Sequence, residues 1–164
     1  TSHACLVQAK KVSLEDTFFA WTRHACEVPG TLMATRLAPG NRGGLRLRVF
    51  GSEGGLEWDL EACDRLKFNR FGKPDQIISR GHGHGVAPRV ERLVRSARGF
   101  PEGIVEAWGN LYTEFALAVA ARRDGRTFPK GYLGLPLVAD GASGVRFIDA
   151  CVRSDEQNGD WTQL

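Results

Sequence analysis

Residues 43–60, GGLRLRVFGSEGGLEWDL, carry the clearest hydrophobic–polar pattern in the chain. Leu45, Leu47 and Val49 alternate with Arg46, Arg48 and Phe50. After a glycine-rich turn, Leu56, Trp58 and Leu60 alternate with Glu57 and Asp59. A period of two belongs to a half-buried strand, whose successive side chains point to opposite faces. With 51–54 as the loop, Val49 pairs with Leu56, Leu47 with Trp58 and Leu45 with Leu60. On the opposite face Arg48 then meets Glu57, and Arg46 meets Asp59. Both faces agree on one register, and a slip by one residue would put Trp58 among the charges.

Further strands surround this hairpin. Segments 17–24 (TFFAWTRH) and 30–38 (GTLMATRLA) are rich in β-branched and aromatic residues, with a turn expected at Pro29-Gly30. Residues 65–70 set Leu66 and Phe68 on one side and lead through FGKP to 75–80, extending an antiparallel meander. A strand at 4–8 is expected beside it. Residues 17–24 are apolar on both sides, which predicts that the second sheet face is covered too. From 104 the period changes: Val105, Trp108, Leu111, Tyr112, Phe115 and Val119 follow helical spacing, with Gly125 as the stop after Arg122 and Arg123. A second helix is predicted over 139–154, with Val138, Ala142, Val145, Ile148 and Val152 inward. GDWTQL is expected to close the chain as a short strand. Strands followed by helices predict an α+β domain over 1–164: an open, mostly antiparallel sheet with helices packed on one face. The other face is left for subunit contact.

Composition narrows the function classes. A chain of 164 residues holds one domain with a core, and 42% hydrophobic and 25% charged residues are ordinary for a globular protein. A net charge of +3 gives no electrostatic case for nucleic acid or a membrane surface. The four cysteines, Cys5, Cys26, Cys63 and Cys151, form no CxxC and read as reduced, mostly buried thiols of a cytoplasmic protein. The opening TSHACLVQAKKV enters a strand pattern at once, as a piece of a longer polypeptide would.

The stretches 30–81, 99–125 (GFPEGIVEAWGNLYTEFALAVAARRDG) and 137–154 (LVADGASGVRFIDACVRS), with a closing GDW, resemble the C-terminal domain of the glucose–fructose oxidoreductase / inositol dehydrogenase (Gfo/Idh/MocA) family. The resemblance runs from about Asp16 to the end, in the family's order and spacing. It implies the companion of an N-terminal dinucleotide-binding Rossmann domain, in an enzyme moving hydride between NAD or NADP and a hydroxyl carbon of a sugar, cyclitol or related polyol. It also implies a homodimer or homotetramer formed through the sheet face. Arg46, Arg48, Phe50, Glu57 and Asp59 are then the interface residues.

Candidate chemistry within the chain is sparse. No strand–GxGxxG–helix unit is present to hold a pyrophosphate, so no cofactor is expected in this chain. The family's catalytic lysine and Asp…His pair lie upstream of the matched region, and no catalytic residue is assigned. Lys73-Pro74 reads as a hairpin turn. His82 and His84, one residue apart without a third ligand, give no metal site. Arg89, Arg92, Arg95 and Arg98 recur every three residues and read as a solvated basic face. The resemblance brings the GFPEG turn near the substrate. Phe100 stands there where the family usually has histidine, and Glu102 is a candidate acceptor for substrate hydroxyls. Asn41 and Arg42 are further substrate-binding candidates. The expected function is therefore the substrate-binding and oligomerisation part of an NAD(P)-dependent polyol oxidoreductase, inactive without its Rossmann domain. The alternative is a non-catalytic dimerisation module using the open sheet face.

Overall fold

A computed structural model describes residues 14–81, 87–128 and 134–164. The expected strand at 4–8, Cys5, His82 and His84 lie outside these. Among the described residues the order is six strands, with a short 3-10 turn (Leu60–Ala62) between the fourth and fifth, and then three helices; they fall in two compact units, 14–42 with 142–164, and the described residues between 43 and 141. The α+β class and the open antiparallel architecture are as expected, but the strands form two sheets, one of two strands and one of four.

In the first unit, β1 (Thr17–Arg23) pairs antiparallel with β2 (Pro29–Thr35). Pro29-Gly30 is not the turn: it opens β2, with Pro29 opposite Arg23 and Gly30 opposite Thr22. Proline is tolerated at the first position of an edge strand, where no ladder donor is required. The chain reverses through 24–28 instead, where Glu27 adopts φ 61° and its N–H donates to the His24 carbonyl. One side of β1 carries half-buried Phe18, whose ring meets Phe147 edge-on at 6.4 Å between centroids. The other side leaves Phe19 and Trp21 exposed, with Met33 across from Phe19. The predicted second cover is not supplied by the described residues.

The long helix α3 (Val138–Glu156) enters this unit. Its buried side carries Ala150, flanked by half-buried Phe147, Cys151 and Ser154. Val138, Ala142, Val145 and Ile148, expected inward, are exposed, and only Val152 of that stripe is half-buried. The closing GDWTQL forms no strand; its Trp161 lies under the Arg23 guanidinium at 4.9 Å.

In the second unit β3 (Arg46–Gly51), β4 (Gly54–Asp59), β5 (Arg65–Arg70) and β6 (Gln76–Ser79) form a meander in chain order. The predicted register is the observed one: Val49 opposite Leu56, Leu47 opposite Trp58, Arg48 opposite Glu57 and Arg46 opposite Asp59. The Leu60 N–H donates to the Leu45 carbonyl at 2.9 Å, continuing it. One sheet face presents Leu47, Val49, Leu56, Trp58, Leu66, Phe68 and Ile78, and the other is mostly charged. Trp58 is half-buried and its indole N–H donates to the Cys63 carbonyl at 3.1 Å. Lys73 and Pro74 lie in the turn between β5 and β6.

The helix α2 (Ile104–Arg123) does not cover that apolar face with its own apolar stripe. Val105, Trp108, Tyr112, Phe115 and Val119 are exposed, as are Leu45, Leu47 and Val49 on the sheet. The sequence expectation that these surfaces close on each other is corrected. The buried positions of α2 are Glu114 and Ala121, half a helical turn round from Val105. The arginine run is corrected as well: α1 (Pro88–Glu91) is a single turn, and Arg92 and Arg95 turn onto α2 instead of forming a basic face. Cys26 is exposed and Cys63 and Cys151 half-buried; all three are free thiols. Among the described residues, no helix is long and apolar enough to cross a membrane.

A methyl group at Gly54 would run into the Asn69 carbonyl oxygen and lie 3.1 Å from Arg70 Cα, whereas at Gly51 the nearest atom is 3.6 Å away. Gly54→Ala is expected to cost about 1–3 kcal/mol in urea unfolding. Gly51→Ala should stay within about 0.5 kcal/mol. Equal effects would contradict the register of β4 on β5.

Candidate functional site

The GFPEG turn, 99–103, lies between the end of the arginine run and α2, and its geometry follows from one charged cluster. Asp64, at the β4–β5 connection, and Arg80, just past β6, form an ion pair with Arg80 Nε 2.6 Å from Asp64 Oδ1. The Arg80 N–H to Asp64 O backbone bond, 2.8 Å, joins the same two residues. The guanidinium reaches on: Nη2 donates to the Phe100 carbonyl at 2.6 Å, and Nη1 lies 3.1 Å from Glu102 Oε1. The Glu102 side chain is only 7% exposed. Its Oε1 also accepts the backbone N–H groups of Arg95, at 2.6 Å, and Ser96. The Glu102 N–H donates to Asp64 Oδ1 at 3.3 Å, and the Cys63 thiol donates to the Glu102 carbonyl at 3.1 Å. The Arg80 bond holds the Asp64 carboxyl below the usual range, with burial opposing and the Glu102 N–H adding to the effect. The turn thus hangs from the sheet by charge-assisted hydrogen bonds. Phe100 is left with its ring out, 67% exposed.

A second polar cluster docks 92–95 on α2. Arg92 grips Glu114 through two parallel contacts, the Nη2–Oε2 one at 2.8 Å, and the Gly134 N–H donates to Oε2 at 3.1 Å. Glu114 is 3% exposed. Arg92 holds its carboxyl below the ordinary value of 4.5, with burial opposing and the Gly134 bond contributing. Arg95 Nε donates to Asn110 Oδ1 at 2.7 Å and Nη2 to Thr113 Oγ1 at 2.9 Å, while the Asn110 amide donates to the Leu93 carbonyl at 2.8 Å. At the head of α2, Glu106 accepts the Gly103 N–H at 2.8 Å, which lowers its pKa as an N-terminal capping carboxylate.

The other sequence candidates sit elsewhere. Asn41 and Arg42 lie in the first unit, exposed, where the Asn41 N–H donates to the Ala38 carbonyl at 3.0 Å. On the charged sheet face Arg46 pairs with Asp59 at 2.7 Å, and Asp59 Oδ1 also accepts the Glu61 N–H at 2.9 Å. That backbone bond lowers the Asp59 pKa most, with burial opposing it and Arg46 adding to the lowering. The Arg48 guanidinium lies 5.9 Å from the centre of the Phe50 ring, which is 75% exposed. Among the described residues no three His, Cys, Asp or Glu side chains gather as a metal site.

Sequence reasoning singled out Glu102 but missed Asp64 and Arg80, which meet it across 38 and 22 positions of chain with no local spacing to betray them. Glu114 had a readable signal: it is the single charged residue between Glu106 and Arg122 in an otherwise apolar and small-residue helix.

No family model matches the chain. An uncharacterized oxidoreductase of Bacillus subtilis strain 168, YfiI, is 30% identical over 156 residues, 94% of this chain and 39% of that protein. Among solved structures, an oxidoreductase from Sinorhizobium meliloti is 35% identical with a TM-score of 0.81, over 93% of this chain and 42% of its own. An inositol dehydrogenase homologue from Azotobacter vinelandii, solved with NADH and myo-inositol, is 33% identical with a TM-score of 0.83, over 93% of this chain and 40% of its own. The relatives are oxidoreductases, and this chain spans about two fifths of their length.

Removing either partner of the Arg92–Glu114 pair takes from the other its bidentate counter-charge at a largely buried position. Arg92→Ala and Glu114→Gln should each cost about 1.5–3 kcal/mol by chemical unfolding, the scale of losing a charge-assisted hydrogen bond. Because the folded Glu114 pKa lies below 4.5, the pair's contribution is full above 4.5 and is lost as pH falls through the lowered value. Unfolding free energies of the parent and Glu114→Gln proteins should converge as pH drops below that point. A constant difference down to full protonation would contradict this assignment.

Proposed function

We propose that this chain is the substrate-binding and oligomerisation part of a longer NAD(P)-dependent oxidoreductase acting on a sugar, cyclitol or related polyol. The observation that carries the reading is the match over 93% of the chain to an inositol dehydrogenase homologue that binds NADH and myo-inositol and is much longer than this chain. On this reading the rest of the longer protein holds the nicotinamide cofactor and supplies the proton-abstracting base, and this chain shapes the polyol site. The GFPEG turn borders that site. Phe100 offers its ring to the C–H face of the ligand, and Glu102 acts through the turn it holds. Asn41 and Arg42 stay as candidate hydroxyl contacts. The exposed apolar stripe of α2 and the apolar sheet face are surfaces for the remainder of the protein.

The charged face of the four-stranded sheet supports the assembly half of the reading. Its rows alternate in sign, with Arg46 and Arg48 on β3, Glu57 and Asp59 on β4, and Arg65 and Lys67 on β5. Such rows are self-complementary when two copies meet across a two-fold axis. Phe50 and Ile77 supply exposed apolar area on the same face.

The longer protein, supplied with NAD and myo-inositol, is expected to reduce the cofactor; no turnover with any cyclitol or sugar under either nicotinamide cofactor contradicts the reading. Sedimentation at micromolar concentration should show a dimer or tetramer. Phe50→Glu should weaken association at least about tenfold, as loss of a buried aromatic anchor does. A monomeric parent protein would remove the assembly role.

A further inference from the structure

We propose that Arg80 is a positioning residue that sets the backbone of the 96–102 turn and thereby aims the Phe100 ring at a polyol ligand; this rests on the reading that the turn borders the substrate. The Arg80 side chain is only 20% exposed, and each of its three nitrogens already has a partner within the protein. Nε and Nη2 make 2.6 Å bonds to Asp64 and to the Phe100 carbonyl. Nη1 faces Glu102 at 3.1 Å and the Ser96 carbonyl at 3.5 Å. One planar group therefore spans both ends of the turn and the edge of the sheet.

The arrangement needs a guanidinium. Its fixed fork can address a carboxylate on one edge and a carbonyl on another, whereas an ammonium is a single point of charge. The carbonyl it holds belongs to Phe100, the one residue of the turn with a large exposed ring. Fixing that carbonyl restricts the Phe100 backbone, so the point from which the ring leaves the turn is held before any ligand arrives. Glu102 closes the other side by taking the Arg95 and Ser96 N–H groups, leaving the turn few ways to relax. An exposed aromatic on a backbone clamped from beneath is a preorganised contact, which binds with less ordering cost than a mobile one.

The test uses the longer protein saturated with NADH and titrates myo-inositol by calorimetry. Arg80→Ala should raise the Kd for myo-inositol about tenfold, the scale of losing a charge-assisted hydrogen bond. The Kd for NADH should stay within about twofold, the scatter expected of an independent site. Phe100→Ala should raise the myo-inositol Kd similarly, and the double variant no further than either single one, because Arg80 acts through Phe100. Arg80→Lys keeps the charge and serves if the alanine variant fails to fold; it should also weaken myo-inositol. A variant Kd for myo-inositol within about twofold of the parent, or effects of Arg80 and Phe100 that add, overturns the inference alone. A parent protein that binds NADH but no myo-inositol overturns both the inference and the reading it rests on.

Discussion

In the second unit, the link between helix and sheet is a charged cluster instead of a greasy interface. The Asp64–Arg80–Glu102 group ties the β4–β5 connection, the end of β6 and the lead-in to α2 with bonds of 2.6–3.3 Å. The apolar stripe of α2 and the apolar face of the sheet are both open. The placement of α2 therefore depends on a few part-buried ions and on the Arg92–Glu114 grip, whose partners are costly to separate once out of water. Such bonds are directional. They set where the turn and the helix head lie, which an apolar contact does less sharply.

Val105, Trp108 and Tyr112 on α2, Val145 and Ile148 on α3 and Phe19 and Trp21 on β1 are large side chains in water. Polar clusters hold the local architecture of the second unit, while the apolar stripe of α2 and the apolar sheet face stay exposed.

The sequence was legible where two independent patterns had to agree. The hairpin register follows from an apolar and a charged face that share one pairing, and every pair from Arg46–Asp59 to Val49–Leu56 is where the alternation put it. Both long helices stand close to where the periodicity and Gly125 set them. Periodicity does not say what covers a stripe, and the apolar faces of α2 and α3 that the spacing turns inward are exposed among the described residues. Pro29-Gly30 misled because a turn dipeptide is equally at home opening an edge strand. The Arg80 cluster was hidden for another reason: its members are joined only by the folded chain, and no local spacing encodes a contact between residues 64, 80 and 102.

The central claim is that the Glu102 carboxylate and the Arg80 guanidinium hold the 95–102 turn. Amide hydrogen exchange at Arg95 and Ser96 tests it most directly, since both N–H groups lie outside helix and strand and have Glu102 as their acceptor. The account predicts that both exchange at least about a hundredfold more slowly than in an unstructured chain, and that Glu102→Ala abolishes this protection. Free-chain exchange rates at both amides in the unsubstituted protein would contradict it.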